Sequence, residues 1–277
     1  MDKNIFIKHD VPVIDSFIEK FARKYIEQRS QTNADIDALS GSQLFASHGF
    51  DSSLLKDIIS KNSVALDFRR EKGEKPEVLR DIYRSDLGEL LMTYYFEEKI
   101  EEGSRFIIPL KNITFRERDD MPGRGMDAIG YRLGKNKLEI LLGEAKVSAQ
   151  KKNPPDVVHS TSDSIYETQK NYNNNLDVVI RRLSDFSKRL NTKDAEVIGL
   201  AILNIDGEKE ENYSITFGCT LIRDFTCVDD QKDFGKMQSK QNEFGQNNIH
   251  FSILSFTEYD IEQTVQKFYE IVQELIK

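Results

Sequence analysis

Apolar residues recur at helical spacing through PEVLRDIYRSDLGELLMTYYFEEKI, residues 76–100. Val78, Leu79, Ile82, Tyr83, Leu87, Leu90, Leu91, Tyr94 and Tyr95 make one stripe, which Met92 and Phe96 widen. Further on the period changes. Asp127 to Leu133 and Lys137 to Lys146 are rich in Ile, Leu and Tyr, and Gly134-Lys135-Asn136-Lys137 between them is a turn signal, so a β-hairpin is expected. A two-residue turn at Lys135-Asn136 makes paired positions sum to 271, with Gly134 opposite Lys137 and Asp127 opposite Glu144. Alternation then puts Asp127, Ile129, Tyr131 and Leu133 on one face with Leu138, Ile140, Leu142, Glu144 and Lys146. The other face carries Ala128, Gly130, Gly143 and Ala145, small residues that let a helix approach closely.

After Lys146, QKKNPPD ends the strand, and a helical region from about Ser162 to Leu190 opens with the capping box Ser164 to Glu167. Asn171 to Asn175, NYNNN, has poor helix propensity and is expected to kink or divide it. The apolar run AEVIGLAILNI, Ala195 to Ile205, reads as a strand buried on both faces, and Ser214 to Ile222 as a hairpin partner. A strand at Ile249 to Phe256 and a last helix opened by Thr257-Glu-Tyr-Asp260 complete the chain. Arg223 to Asn248 is polar and longer than compact domains usually leave unstructured, so it reads as a functional or disordered loop. Ile14 to Ile26 and Ser53 to Ile59 look helical on either side of the turn-rich TNADIDALSGSQ. The expected organisation is a mostly helical N-terminal extension over 1–75, followed over 76–277 by an α/β domain with a mixed sheet flanked by helices.

The hairpin register brings chemistry with it. Directly opposed residues have Cβ atoms roughly 4.5 to 5.5 Å apart, and two carboxylates at that distance repel unless a cation lies between them. Asp127 and Glu144 with one backbone carbonyl suit a hard cation such as Mg²⁺, with Mn²⁺ as an alternative, which takes one or two protein carboxylates plus phosphate oxygens. Such an ion polarises a phosphoryl oxygen and acidifies a bound water, while Lys146 would orient that water or stabilise the charge that develops. Glu-x-Lys on an exposed strand is usually an ordinary surface ion pair. Here Glu144 is flanked by LEILLG, Ala145 and Val147, the mark of a mostly buried strand where an unpaired charge is costly. Glu89 lies on the row of Met92 and Phe96, a carboxylate on a semi-buried face, and Asp86 competes with it. Gln169 reads as a solvated helix residue.

An Asp on one strand followed by Glu-x-Lys on its antiparallel neighbour, in GMDAIG and GEAK, resembles the PD-(D/E)xK nuclease superfamily, with Met126 in place of the proline. The resemblance implies the restriction-endonuclease-like αβββαβ core, Asp127 and Glu144 as metal ligands, Lys146 as the catalytic lysine, and Glu89, in DLGE, completing the site as a helix acid that also binds the metal. It also leaves room for Gln169 to project toward the site, since some members place a glutamine or tyrosine there.

Composition narrows the setting. At 277 residues and 38% hydrophobic the chain can bury a full core. It has neither an apolar run long enough to span a membrane nor a signal-peptide pattern, so a cytoplasmic protein is expected. Two cysteines, Cys219 and Cys227, suggest free thiols, and the four histidines show no metal-ligand spacing. The net charge of −8 argues against a protein that grips DNA unaided, because that affinity comes from Lys and Arg neutralising phosphates. Local basic clusters at Lys151 and Lys152 and along Arg181, Arg182, Lys188, Arg189 and Lys193 read equally as solvated helix faces. Delivery by a partner fits the acidic balance.

RSDLGELL, GRGMDAIG and LLGEAK, in this order and in a chain of this length, further resemble the HamA family, the nuclease subunit of Hachiman antiphage defence. That resemblance implies a DNA nuclease held inactive by a superfamily 2 helicase, HamB, and released when the helicase engages abnormal DNA. A stand-alone restriction-type endonuclease, which would self-associate to cut both strands, and a catalytically silent binding module of the same fold are the other readings.

Overall fold

The computed structural model describes residues 4–12, 15–30, 42–50, 54–55, 58–59, 76–115, 125–134 and 137–276, without the side chains of 76–80 and 115. Among them β1 (Asn4–Val11), β2 (Ile107–Lys111), β3 (Ala128–Leu133), β4 (Leu138–Ser148), β5 (Tyr213–Arg223) and β6 (Asn248–Phe256) form one mixed sheet, in the order β1-β6-β5-β4-β3-β2. β1, β6, β5 and β4 run parallel, and β3 and β2 are antiparallel additions at the other edge. The helices are α1 (Asp15–Arg29), α2 (Gln43–Ser47), α3 (Pro76–Tyr94), α4 (Asp156–His159), α5 (Ile165–Asn174), α6 (Leu176–Ser187), α7 (Thr192–Asp206), α8 (Gly235–Ser239) and α9 (Ile261–Leu275). The class is α/β, and the order helix, three strands, helices, strand is present.

The hairpin has the expected register. Ala128 pairs with Gly143 and Leu133 with Leu138, and Gly134 N–H donates to the Lys137 carbonyl at 3.0 Å; the turn residues themselves lie outside the described ones. Its two faces feed two cores. Ala128, Leu141 and Ala145 face α3, α1 and α9, while Ile129, Tyr131, Ile140 and Leu142 face α5, α6 and α7. The small-residue face works as expected: a Cβ on Gly143 would stand 3.1 Å from the sulfur of Met92, so the bare glycine lets the α3 side chain sit tightly against β4. No described helix is long and apolar enough to cross a membrane.

Four expectations change. Ala195 to Ile205 is not a strand but lies within α7, which Asn191 caps by accepting from the Asp194 N–H at 3.0 Å. Its buried residues Ile198, Ala201, Asn204 and Ile205 follow helical spacing, and Leu200 and Leu203 are exposed, so only one face is buried. The strand that closes the core is therefore β5, parallel to β4 along its whole length rather than a hairpin partner. Residues 224–247 are ordered: Phe234, Met237 and Phe244 are buried, and Arg223 forms a fully buried ion pair with Asp233 at 3.0 Å.

The fourth change is at the N-terminus, where β1 precedes the expected helix and pairs with β6. Ile5 and Ile7 are exposed along it, as on an edge strand, and Lys8, His9 and Asp10 hide its period. α1 packs on the same core through Ile18, Phe21 and Tyr25. The helix expected over Ser53 to Ile59 falls partly outside the described residues. As expected, the helical region after β4 is divided at Asn175, and Ser164 caps α5 by accepting from the Glu167 N–H at 3.3 Å.

Candidate metal centre

The main-chain ladder between β3 and β4 ends where the chemistry begins. Asp127 N–H donates to the Gly143 carbonyl at 3.2 Å. The next amide, Ala145 N–H, is taken by the Asp127 side chain, whose Oδ2 accepts it at 2.7 Å. That bond fixes the Asp127 carboxylate beside Glu144, one register step beyond the Ala128–Gly143 pair. β4 continues to Ser148 along β5, so Glu144 and Lys146 lie near the carboxyl end of a parallel strand, where α/β sheets commonly bind ligands.

Glu144 is only 4% exposed. Burial first, and then the neighbouring charge of Asp127, push its carboxyl well above the ordinary range, while Lys146 pulls the other way. The Lys146 ammonium lies 3.3 Å from Glu144 Oε1 and donates to Asp163 Oδ1 at 2.7 Å. Burial works against its charge, but Glu144, Asp163 and Asp127 overcome that and hold it firmly protonated. Asp163 sits with φ 47°, in the left-handed region that Asp tolerates better than most residues, just before the Ser164 cap.

The long helical segment completes the surroundings. Gln169 is fully buried rather than solvated: its Nε2 donates to the Leu142 carbonyl at 3.1 Å, and its Oε1 meets no hydrogen-bond donor among the described residues. Burial raises the Tyr172 hydroxyl to about 12, and Glu144, Arg182, Asp127 and Lys146 all act on it, which places the ring among the site's charges. A Cβ on Gly125, where φ is +99°, would stand 2.9 Å from Cζ of Arg182, so a cation borders the entry to β3. Tyr172, Arg182 and Asp163 were not singled out as site residues from the sequence. The spacing of Gln169 and Tyr172, one turn apart on a capped helix following the Glu-x-Lys strand, was the available signal.

The two helix acids have different surroundings. Asp86 is fully buried and accepts from the Tyr269 hydroxyl of α9 at 2.9 Å, a packing role between helices. Glu89 is 3% exposed on α3, the helix on the other side of β4 from α5. Among the described residues no third His, Cys, Asp or Glu groups with Asp127 and Glu144. Among the described residues the carboxylates that the hairpin register brings together are Asp127 and Glu144. Cys219 and Cys227 are both free.

The HamA family model matches residues 5–272 of the 277. The chain belongs to the HamA family. Membership makes this HamA-family protein a component of Hachiman antiphage defence, a system that includes a helicase. No curated protein and no solved structure matches it.

The residues of this HamA-family chain suit a hard divalent ion. Two adjacent carboxylates, one of them buried and short of compensation, favour either a proton or a cation between them, and their oxygens are the donors Mg²⁺ and Mn²⁺ prefer.

Proposed function

We propose that this chain is the metal-dependent DNA nuclease of a Hachiman system, restrained and delivered by its helicase partner, and that it acts in the cytoplasm. The observation that carries the reading is the register that sets Asp127 beside Glu144, with Lys146 3.3 Å from the same glutamate. Asp127 and Glu144 would hold Mg²⁺ or Mn²⁺, which when bound polarises the phosphoryl group and acidifies a water. Asp127 is oriented for this by the Ala145 N–H. Burial and Asp127 hold the Glu144 carboxyl above its ordinary range, and a cation between the two would favour its ionised form. Lys146 stays protonated and presents a fixed positive charge to the attacking water or to the oxyanion. Gln169, held on the Leu142 carbonyl, and Tyr172, within reach of the site's charges, flank it from α5. Glu89 is proposed to assist from α3 without being a metal ligand. The net charge of −8 supports dependence on a partner for holding DNA.

The test is incubation of DNA with the purified chain, alone and with its helicase, in Mg²⁺ and in EDTA. Cleavage that needs Mg²⁺ and is altered by the helicase is expected; metal-independent cleavage, or none under either condition, contradicts the proposal.

A further inference from the structure

The segment between β5 and β6, polar in sequence, is pinned down by Phe234, Met237 and Phe244, and Phe244 stacks edge-on against Phe217 at 5.2 Å and Tyr166 at 6.2 Å. Pinning it there gathers charge. The ammonium groups of Lys170, Lys236 and Lys240 lie 5.3, 5.3 and 5.8 Å from the centroid of the one Tyr166 ring. Lys170 comes from α5, and the other two come from α8 and the residue after it. Three like charges held around one ring stand at a range comparable to the Debye length, roughly 8 Å at physiological ionic strength, and so repel one another.

Among the described residues Glu243 is the only carboxylate in ion-pair contact with any of them: it reaches Lys170 at 2.7 Å and Lys240 at 3.4 Å, and accepts from the Tyr166 hydroxyl. Lys236 has no ion-pair partner there. Three cations against one anion leave a local surplus of positive charge on a chain that is acidic overall. Glu243, held down to about 2 first by Lys170 and then by the Tyr166 hydroxyl, orders the cluster without neutralising it.

From this cluster we infer that Lys170, Lys236 and Lys240 form a binding site for the phosphate backbone of nucleic acid, a track that leads into the metal centre. The inference rests on the nuclease reading of that centre. α5 supplies the direction. Its cap, Ser164, follows Asp163, which holds Lys146, and Lys170 lies six residues further along, about 9 Å at the helical rise. That span covers only two or three phosphates of one strand, which rise about 3.4 Å each. The Tyr166 ring is 1% exposed and already covered by the lysines, so it cannot stack on a base. The interaction is therefore with phosphates and indifferent to sequence.

The experiment measures binding of a labelled 20-base-pair DNA duplex by fluorescence anisotropy, in EDTA and over a range of salt. It compares the full chain, Lys236→Ala/Lys240→Ala, and Lys20→Ala on the distant α1 as a control. Circular dichroism confirms that each is folded, and Mg²⁺-dependent cleavage is assayed on the same preparations beside Asp127→Ala. The double variant is expected to bind at least tenfold more weakly at low salt, with its log–log salt slope reduced by roughly 2, about 0.9 for each phosphate that is no longer neutralised. Unchanged affinity and slope overturn the track, and if cleavage still depends on Asp127 the nuclease reading survives alone. Loss of binding in the double variant, with no Asp127-dependent cleavage by the unaltered chain, keeps the phosphate site but removes the nuclease reading. Absence of any binding at low salt overturns the proposal.

Discussion

Lys146 holds its ammonium 3.3 Å from Oε1 of Glu144, two residues back on the same face of β4. The pairing offsets only part of what burial and Asp127 do to the Glu144 carboxyl, so the two adjacent carboxylates still favour a proton or a cation between them.

Lys146→Ala should therefore lower turnover by about 100-fold or more, the usual loss for a transition-state interaction, with metal affinity changed far less. Calorimetric titration of Mg²⁺ and single-turnover cleavage on the same preparation check this. Loss of metal affinity with normal turnover at saturating metal would show the lysine to be part of the ion's binding site instead.

Glu89 and Asp86 separate through metal binding. With no third such group beside Asp127 and Glu144 among the described residues, Glu89→Gln should leave Mg²⁺ affinity within a few-fold, while Glu144→Gln removes it. An equal loss in both would make Glu89 a third ligand. Asp86→Asn, which loses the charged acceptor of the Tyr269 hydroxyl, should act on stability, by about 1 to 3 kcal/mol, rather than on metal affinity.

The hairpin was legible because strand periodicity is strict: once the turn is placed, every pair follows, down to Ala128 with Gly143. α7 was not, because eleven apolar-rich residues fit a buried strand or a half-buried helix equally well until Leu200 and Leu203 are seen to face outward. Gln169 was misjudged for a related reason. A polar residue is solvated or buried according to what its helix lies on, and only the packing of α5 on β4 brings the Leu142 carbonyl to its amide. β1 escaped notice because an edge strand buries little, and the lysine cluster because its members come from two elements some 65 residues apart in sequence.

Arg223 ties the end of β4 to the segment that follows β5. Besides Asp233 at 3.0 Å, its guanidinium donates to the carbonyls of Ser148 at 3.2 Å, Lys152 at 2.8 Å and Cys227 at 3.2 Å, and to Gln150. Arg223→Met strands the Asp233 carboxylate in the interior and should cost about 3 to 5 kcal/mol in chemical denaturation. A cost under about 1 kcal/mol would mean that the pair contributes little to the fold.

Tyr95 joins His9, at 3.2 Å, to His250, at 2.9 Å, across β1 and β6. Burial, then repulsion from His9 and Arg132, lowers His250 to about 4. Its folded-state value is below its unfolded one, near 6.5, so the unfolded chain binds the extra proton in this window. The stability His250 contributes is fully present above about pH 6.5 and is lost as pH falls toward 4, on the order of 3 kcal/mol in all. Denaturation midpoints at pH 7 and pH 4.5 should converge in His250→Gln relative to the unaltered chain; parallel pH profiles would exclude the group.

Asp127→Ala and Glu144→Ala bear most directly on the central claim, assayed for Mg²⁺-dependent DNA cleavage with melting temperature read on the same samples. Each should abolish cleavage while changing the stability of the metal-free fold little, because the repulsion relieved at Glu144 is set against the acceptor that the Ala145 N–H loses in the first variant and the partner that Lys146 loses in the second. Cleavage retained by either variant would contradict the assignment of the metal centre to this pair.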